Sequence, residues 1–278
     1  MDYTVQSASI AAMVIVVLVG VAIPIILFLV GRKKLKADIM PFFTGCAVFI
    51  VFALVLEGII NSLIFLSPAG AKIQSNIWLY GILGGFMAGL FEETGRFAAF
   101  KTVLKKKRDK DVNALMYGAG HGGIEVFILL VVSMSSNIVF SIMLNNGMTE
   151  VLTAGVKDTA ALVQLDNVFK TLSNTAPEMF LVSIIERIGA LVLHISLSVL
   201  VWFAAKNRRY ILLYPLALLL HMFMDAALVI IASYIKNVLI LEGIVYIISG
   251  ACAILAVAVW KKCRKENVAE VGGSVTEA

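Results

Sequence analysis

Residues 89–100 read GLFEETGRFAAF, and this stretch decides the fold. Glu92, Glu93 and Arg96 stand inside an otherwise apolar helical run. An ionisable group at bilayer depth costs about 3 kcal/mol on insertion scales, and it persists mainly where function uses it. All three histidines, His121, His194 and His221, also fall inside apolar runs.

The surrounding chain explains why bilayer depth is the right frame. Of its 278 residues, 60% are hydrophobic and 15% charged, and the mean hydropathy is +0.96. That composition excludes an ordinary soluble domain. Several runs reach the roughly 20 apolar residues that cross a membrane. The chain reads as one all-α integral membrane domain over 1–265, a polytopic transmembrane helix bundle of about seven spans. They lie near 8–31, 39–66, 76–101, 112–134, 178–204, 210–232 and 238–260. A long outer connection covers 135–177, and a polar tail, read as disordered and cytoplasmic, covers 266–278. In the connection, Leu162, Leu165, Phe169 and Leu172 recur at helical spacing, so an amphipathic helix is expected there, as a lid or as a surface connector.

Charge sets the orientation. Lys and Arg gather at 32–36, 105–108, 206–209 and 261–265, while the connections at 67–76 and 233–237 hold one Lys each. Every second connection is basic, as the positive-inside rule requires. The N-terminus is expected outside and the C-terminus inside, in a bacterial cytoplasmic membrane. The net charge of +5 is therefore a topology signal, not a nucleic-acid one. Cys46, Cys252 and Cys263 form no disulfide pattern.

The buried polar groups share one depth. His121 is ten residues past Asp111, His194 twelve before Lys206 and His221 twelve past Arg209; Glu92 and Glu93 precede Lys105 by thirteen and twelve. At a helical rise of 1.5 Å per residue, each sits roughly 15–20 Å from the cytoplasmic charges, near mid-membrane. Four helices thus present ionisable groups on one plane, which a shared hydrated pocket tolerates better than lipid does. Spacings of four pair His221 with Asp225, His121 with Glu125 and Glu92 with Arg96. One carboxylate is neutralised by Arg96, and the other is left poised to act as a base. Gly81, Gly85 and Gly89 recur every four residues and favour close helix packing. His and carboxylate together also suit a divalent metal such as zinc. Read from the residues alone, water activated by Glu and water activated by a metal both stay open.

The ordered motifs EETGR, HGGIE, ERIGALVLH and HMFMD over about 80–230 resemble the YhfC-like membrane peptidases. These are related to the type II CAAX protease and bacteriocin-processing (CPBP) superfamily and to the PrsW-like proteases. The resemblance implies a CAAX-protease-like core at about 76–232 and a glutamate-type intramembrane endopeptidase acting on a membrane protein or peptide. By that likeness Glu92 or Glu93 activates water, His121 and His221 assist, and Asp225 fills the fourth position. Arg96, Glu125 and His194 support, and His121, His194 and His221 are the ligands if a metal is present. The spacing between the Glu pair and Arg96 is one residue shorter than the CAAX-type pattern, which leaves the choice between Glu92 and Glu93 open. A non-catalytic membrane scaffold or immunity-type protein with a polar core is the competing reading, and a transporter ranks last because no repeat of related halves is seen.

Overall fold

In a computed structural model, residues 3–275 are described, with side chains up to 266. Every regular element among them is helical: α1 (Ser7–Leu29), α2 (Met40–Val48), α3 (Gly58–Leu66), α4 (Gly70–Ser75), α5 (Ile77–Lys101), α6 (Val112–Val126), α7 (Ser133–Asn145), α8 (Thr149–Thr153), α9 (Thr159–Asn174), α10 (Pro177–Lys206), α11 (Leu213–Tyr234) and α12 (Val238–Val275). π-helical turns at Val30–Lys34, Phe49–Glu57 and Phe127–Val132 run on from α1, α2 and α6.

Six stretches among the described residues are long and apolar enough to cross a membrane: Ser7–Lys34, Met40–Leu66, Val112–Asn145, Pro177–Lys206, Arg208–Tyr234 and Val238–Glu266. The expected third span, α5, is 25 residues long, about 37 Å at helical rise. Glu92, Glu93 and Arg96 lower its hydropathy, so composition alone does not mark it. The fold is the all-α transmembrane bundle that the sequence predicts.

Three boundaries differ from expectation. The fourth span does not stop near 134 but continues through the π-helical turn into α7 as far as Asn145. The outer connection holds two helices, α8 and α9. The helix of the last span runs to Val275; of the tail expected to be disordered, 276–278 lie outside the described residues.

Contacts gather the chain into two compact units, Met1–Ile25 with Glu125–Arg187, and Ile26–Ile124 with Ile188–Ala278. In the first, Met13, Val16, Val126, Leu130, Leu144, Phe169, Leu172 and Phe180 form the core. The expected amphipathic helix is α9, capped by Asp158, whose side chain accepts from the Ala160 amide. It buries Phe169 and Leu172 in that core rather than lying apart from it. Asn145 clamps the incoming chain by accepting from Val5 N at 2.7 Å and donating to Val5 O at 2.9 Å.

The second unit holds the ionisable plane. Its core centres on α10, where Leu197, Leu200, Trp202 and Phe203 are almost wholly enclosed, with Phe100 and Tyr117 beside them. The glycine ridge of α5 lies on α11. A Cβ at Gly85 would stand 2.4 Å from the Met222 carbonyl oxygen, and one at Gly89 2.7 Å from that of Leu218. Hydrogen at these positions lets two backbones nearly touch, which is what the four-residue spacing predicts.

Candidate active site

Consecutive residues on an α-helix point about 100° apart, so neighbouring carboxylates face different partners. α5 uses this directly. Glu92 faces the histidines of α6 and α10: His121 Nε2 lies 2.8 Å from its Oε2, and His194 Nδ1 lies 3.8 Å from the same oxygen. Glu93 faces α11, with Oε1 2.8 Å from His221 Nδ1. The close α5–α11 contact at Gly85 and Gly89 brings His221 within that reach.

Arg96 does not pair as the four-residue spacing suggests. Its Nη1 donates to both oxygens of Glu93 at 2.5 Å, three residues back. Its Nη2 reaches His194 Nδ1 at 3.3 Å. The guanidinium charge is therefore spent on Glu93, and Glu92 meets imidazoles. Rotamer and helix phase decide this, since residues three and four apart lie equally near on a helix surface.

Most of these groups are enclosed. Glu93, Arg96 and His121 are 0% exposed, and Glu92 is 7% exposed. The three imidazoles form a row, with ring centroids 5.1 Å apart for His121 and His194 and 5.3 Å apart for His194 and His221. Two aromatic rings pack on His121: Tyr117 stacks at 5.9 Å, and Phe49 meets it edge-on at 5.3 Å. Tyr117 lies one turn before His121 and was readable from spacing. Phe49 comes from the π-helical turn after α2, and nothing in the sequence pointed to it.

Asp225 Oδ2 lies 3.5 Å from His221 Nε2, as their spacing predicts, and its side chain is 37% exposed. It is the most open member of the group. Glu57, hydrogen-bonded by Asn61 at 3.2 Å, interacts electrostatically with Glu92, His221 and Asp225. Ser198, one turn past His194, bonds the His194 carbonyl rather than its ring. Glu125, expected beside His121, belongs to the other unit, where Arg187 donates to it at 2.5 Å and to Glu186 at 2.5 Å.

The donor set for a metal differs from the three histidines expected. Ligand atoms of Glu92, His194 and His221 lie within 4.8 Å of one another, all three residues buried, while His121 is hydrogen-bonded to Glu92. A carboxylate with two imidazoles is a donor set that zinc enzymes use with one position left for water. Glu93 on His221 Nδ1 is the kind of carboxylate–imidazole contact that orients such ligands. The residues present fit a divalent metal.

A family model described as "YhfC intramembrane metalloprotease" matches residues 18–245. The chain is 33% identical over 230 residues, 82% of its own length and 87% of the relative's, to a Bacillus subtilis (strain 168) protein named "Uncharacterized membrane protein YhfC". No solved structure shows a significant match. A likeness of that extent, carried through α5, α6, α10 and α11, places the chain in the YhfC intramembrane metalloprotease family.

Proposed function

We propose that this protein is an intramembrane endopeptidase that hydrolyses a peptide bond of a membrane-associated substrate, with water activated at Glu92. The observation that carries the reading is the division of labour within the Glu pair. Glu93 holds Arg96 with both oxygens and His221 with one. Glu92 is aligned by His121, whose Nε2 lies 2.8 Å from its Oε2.

Peptide hydrolysis needs a base for the attacking water, a donor for the developing oxyanion and an acid for the leaving amine. Glu92 takes the water proton, with one oxygen held by His121 Nε2. His221 is fixed by Glu93 at Nδ1 and by Asp225 near Nε2, so its ring is placed to donate to the oxyanion. The proton held at Glu92 then passes to the amine. Glu92, His194 and His221 would alternatively hold a divalent metal, and Glu92 and His221 would then act as its ligands in place of base and oxyanion donor. Such an ion, when bound, would polarise the scissile carbonyl and acidify water at neutral pH. Burial keeps bulk water from competing with these contacts, and it strengthens them.

The basic loops support an N-terminus outside and a C-terminus inside, in a bacterial cytoplasmic membrane. On that placement the reacting groups sit near mid-bilayer, where a soluble substrate does not reach.

The test is a mass-spectrometric screen of transmembrane peptides with the purified protein in nanodiscs, run beside Glu92→Gln. Cleavage by the wild type and none by a folded Glu92→Gln protein is the expected result. A Glu92→Gln protein that cuts at the wild-type rate sinks the assignment.

A further inference from the structure

The Arg96–His194 contact has a consequence for the metal reading on which it rests. Arginine carries only donors and stays charged in proteins. The 3.3 Å approach of Arg96 Nη2 to His194 Nδ1 therefore uses the lone pair of Nδ1, and the ring proton of neutral His194 sits on Nε2. Nδ1 is also the His194 atom 3.8 Å from Glu92 Oε2, on the side of the donor set. In this tautomer Nε2–H is no ligand. We infer that Arg96 is a latch on the metal site: its guanidinium and a divalent cation compete for the same lone pair of His194.

The latch is built to open without unfolding. Arg96 is held to Glu93 through Nη1, by two contacts of 2.5 Å. Loss of the longer Nη2 contact leaves that ion pair, and the Glu93–His221 contact, intact. A cation entering beside Glu92 takes the lone pair, and Arg96 stays on Glu93. Arg96 is thus a positioning residue. It keeps His194 turned toward α5, and it lowers metal affinity by the hydrogen bond that must be given up.

Co2+ titration of chelator-stripped, full-length protein, read by visible absorption, tests this. Arg96→Lys keeps a cation for Glu93 but lacks the second arm of the fork. It should bind Co2+ about tenfold more tightly than wild type, the worth of a charge-assisted hydrogen bond. The same substitution placed on His194→Ala should change the affinity of that background by less than twofold. Histidine 15N NMR of the stripped wild type needs no substitution and should show His194 protonated at Nε2.

An Arg96→Lys protein that binds Co2+ no more tightly than wild type overturns the latch and leaves the metal reading standing. So does an Nδ1-protonated His194. Absence of Co2+ and Zn2+ binding in wild type and variants alike overturns both.

Discussion

His121 Nε2 and Glu92 Oε2 lie 2.8 Å apart although 29 residues separate them in the chain. The contact joins α5 to α6. It forms because α6 is studded with glycines on the faces that meet its neighbours. A Cβ at Gly120 would stand 1.9 Å from the Phe42 carbonyl oxygen, and one at Gly118 2.7 Å from the Ile195 Cα. α6 is thereby drawn close to α2 on one side and α10 on the other, with His121 between them.

The two glutamates are expected to separate chemistry from stability. Glu92→Gln should abolish cleavage with little change in unfolding midpoint, because the amide can still meet His121. Glu93→Gln should unfold more easily, by about 3–5 kcal/mol, because it strips a buried Arg96 of its counter-charge. Thermal unfolding in detergent, measured beside peptide cleavage, checks both. Equal destabilisation by the two substitutions contradicts the division of labour.

Metal content should follow the donor set. His194→Ala and His221→Ala are each expected to lower zinc occupancy at least tenfold. Asp225→Asn, acting through His221, should have a smaller effect than either, at or below the tenfold lower end of the range usual for orienting partners. Elemental analysis of dialysed protein measures this. Treatment with a zinc chelator should stop cleavage, and added Zn2+ should restore it. Activity that is indifferent to chelation leaves Glu92 as the sole activator.

The α5–α11 contact can be tested by neighbouring glycines. Gly85→Ala puts a methyl 2.4 Å from a backbone oxygen of α11, whereas Gly84→Ala meets nothing within 4 Å. Gly85→Ala should cost about 1–3 kcal/mol, as overpacking does, and should lower cleavage by shifting His221 from Glu93. Gly84→Ala should be neutral or slightly stabilising, since alanine favours helix. A Gly85→Ala protein with native stability means the helices are not in backbone contact.

At the membrane face, Asp38 joins the connection after the first span to the one before α6. Lys110 donates to it at 3.0 Å, and Asn113 at 3.2 Å. The Lys110 hydrogen bond is the main reason its carboxyl is held below the ordinary value of 3.8. A depressed carboxylate contributes stability that is complete above the unfolded pKa and lost as pH falls through the folded one. Protection of the amides at residues 107–113, corrected for the intrinsic pH dependence of exchange, should therefore be constant at neutral pH and fall below about pH 4. Asp38→Asn should exchange faster at neutral pH and show no such step.

Much of this was legible in one dimension. Apolar runs of membrane length, basic loops at every second connection and the shared depth of Glu92, Glu93, His121, His194 and His221 follow from composition and helical rise, because spans traverse a slab of known thickness. His221 with Asp225 followed from spacing alone, as did the amphipathic α9. Partner choice did not. Residues three and four apart are equally good neighbours on a helix, so spacing cannot tell whether Arg96 serves Glu92 or Glu93, and it cannot see that Arg187 of another helix holds Glu125. Those assignments depend on helix rotation and on the close approaches that glycines permit. The chain by itself determined that its charges lie together in the membrane. Only the packing of α5, α6, α10 and α11 decided which carboxylate is bound by arginine and which is left to the histidines.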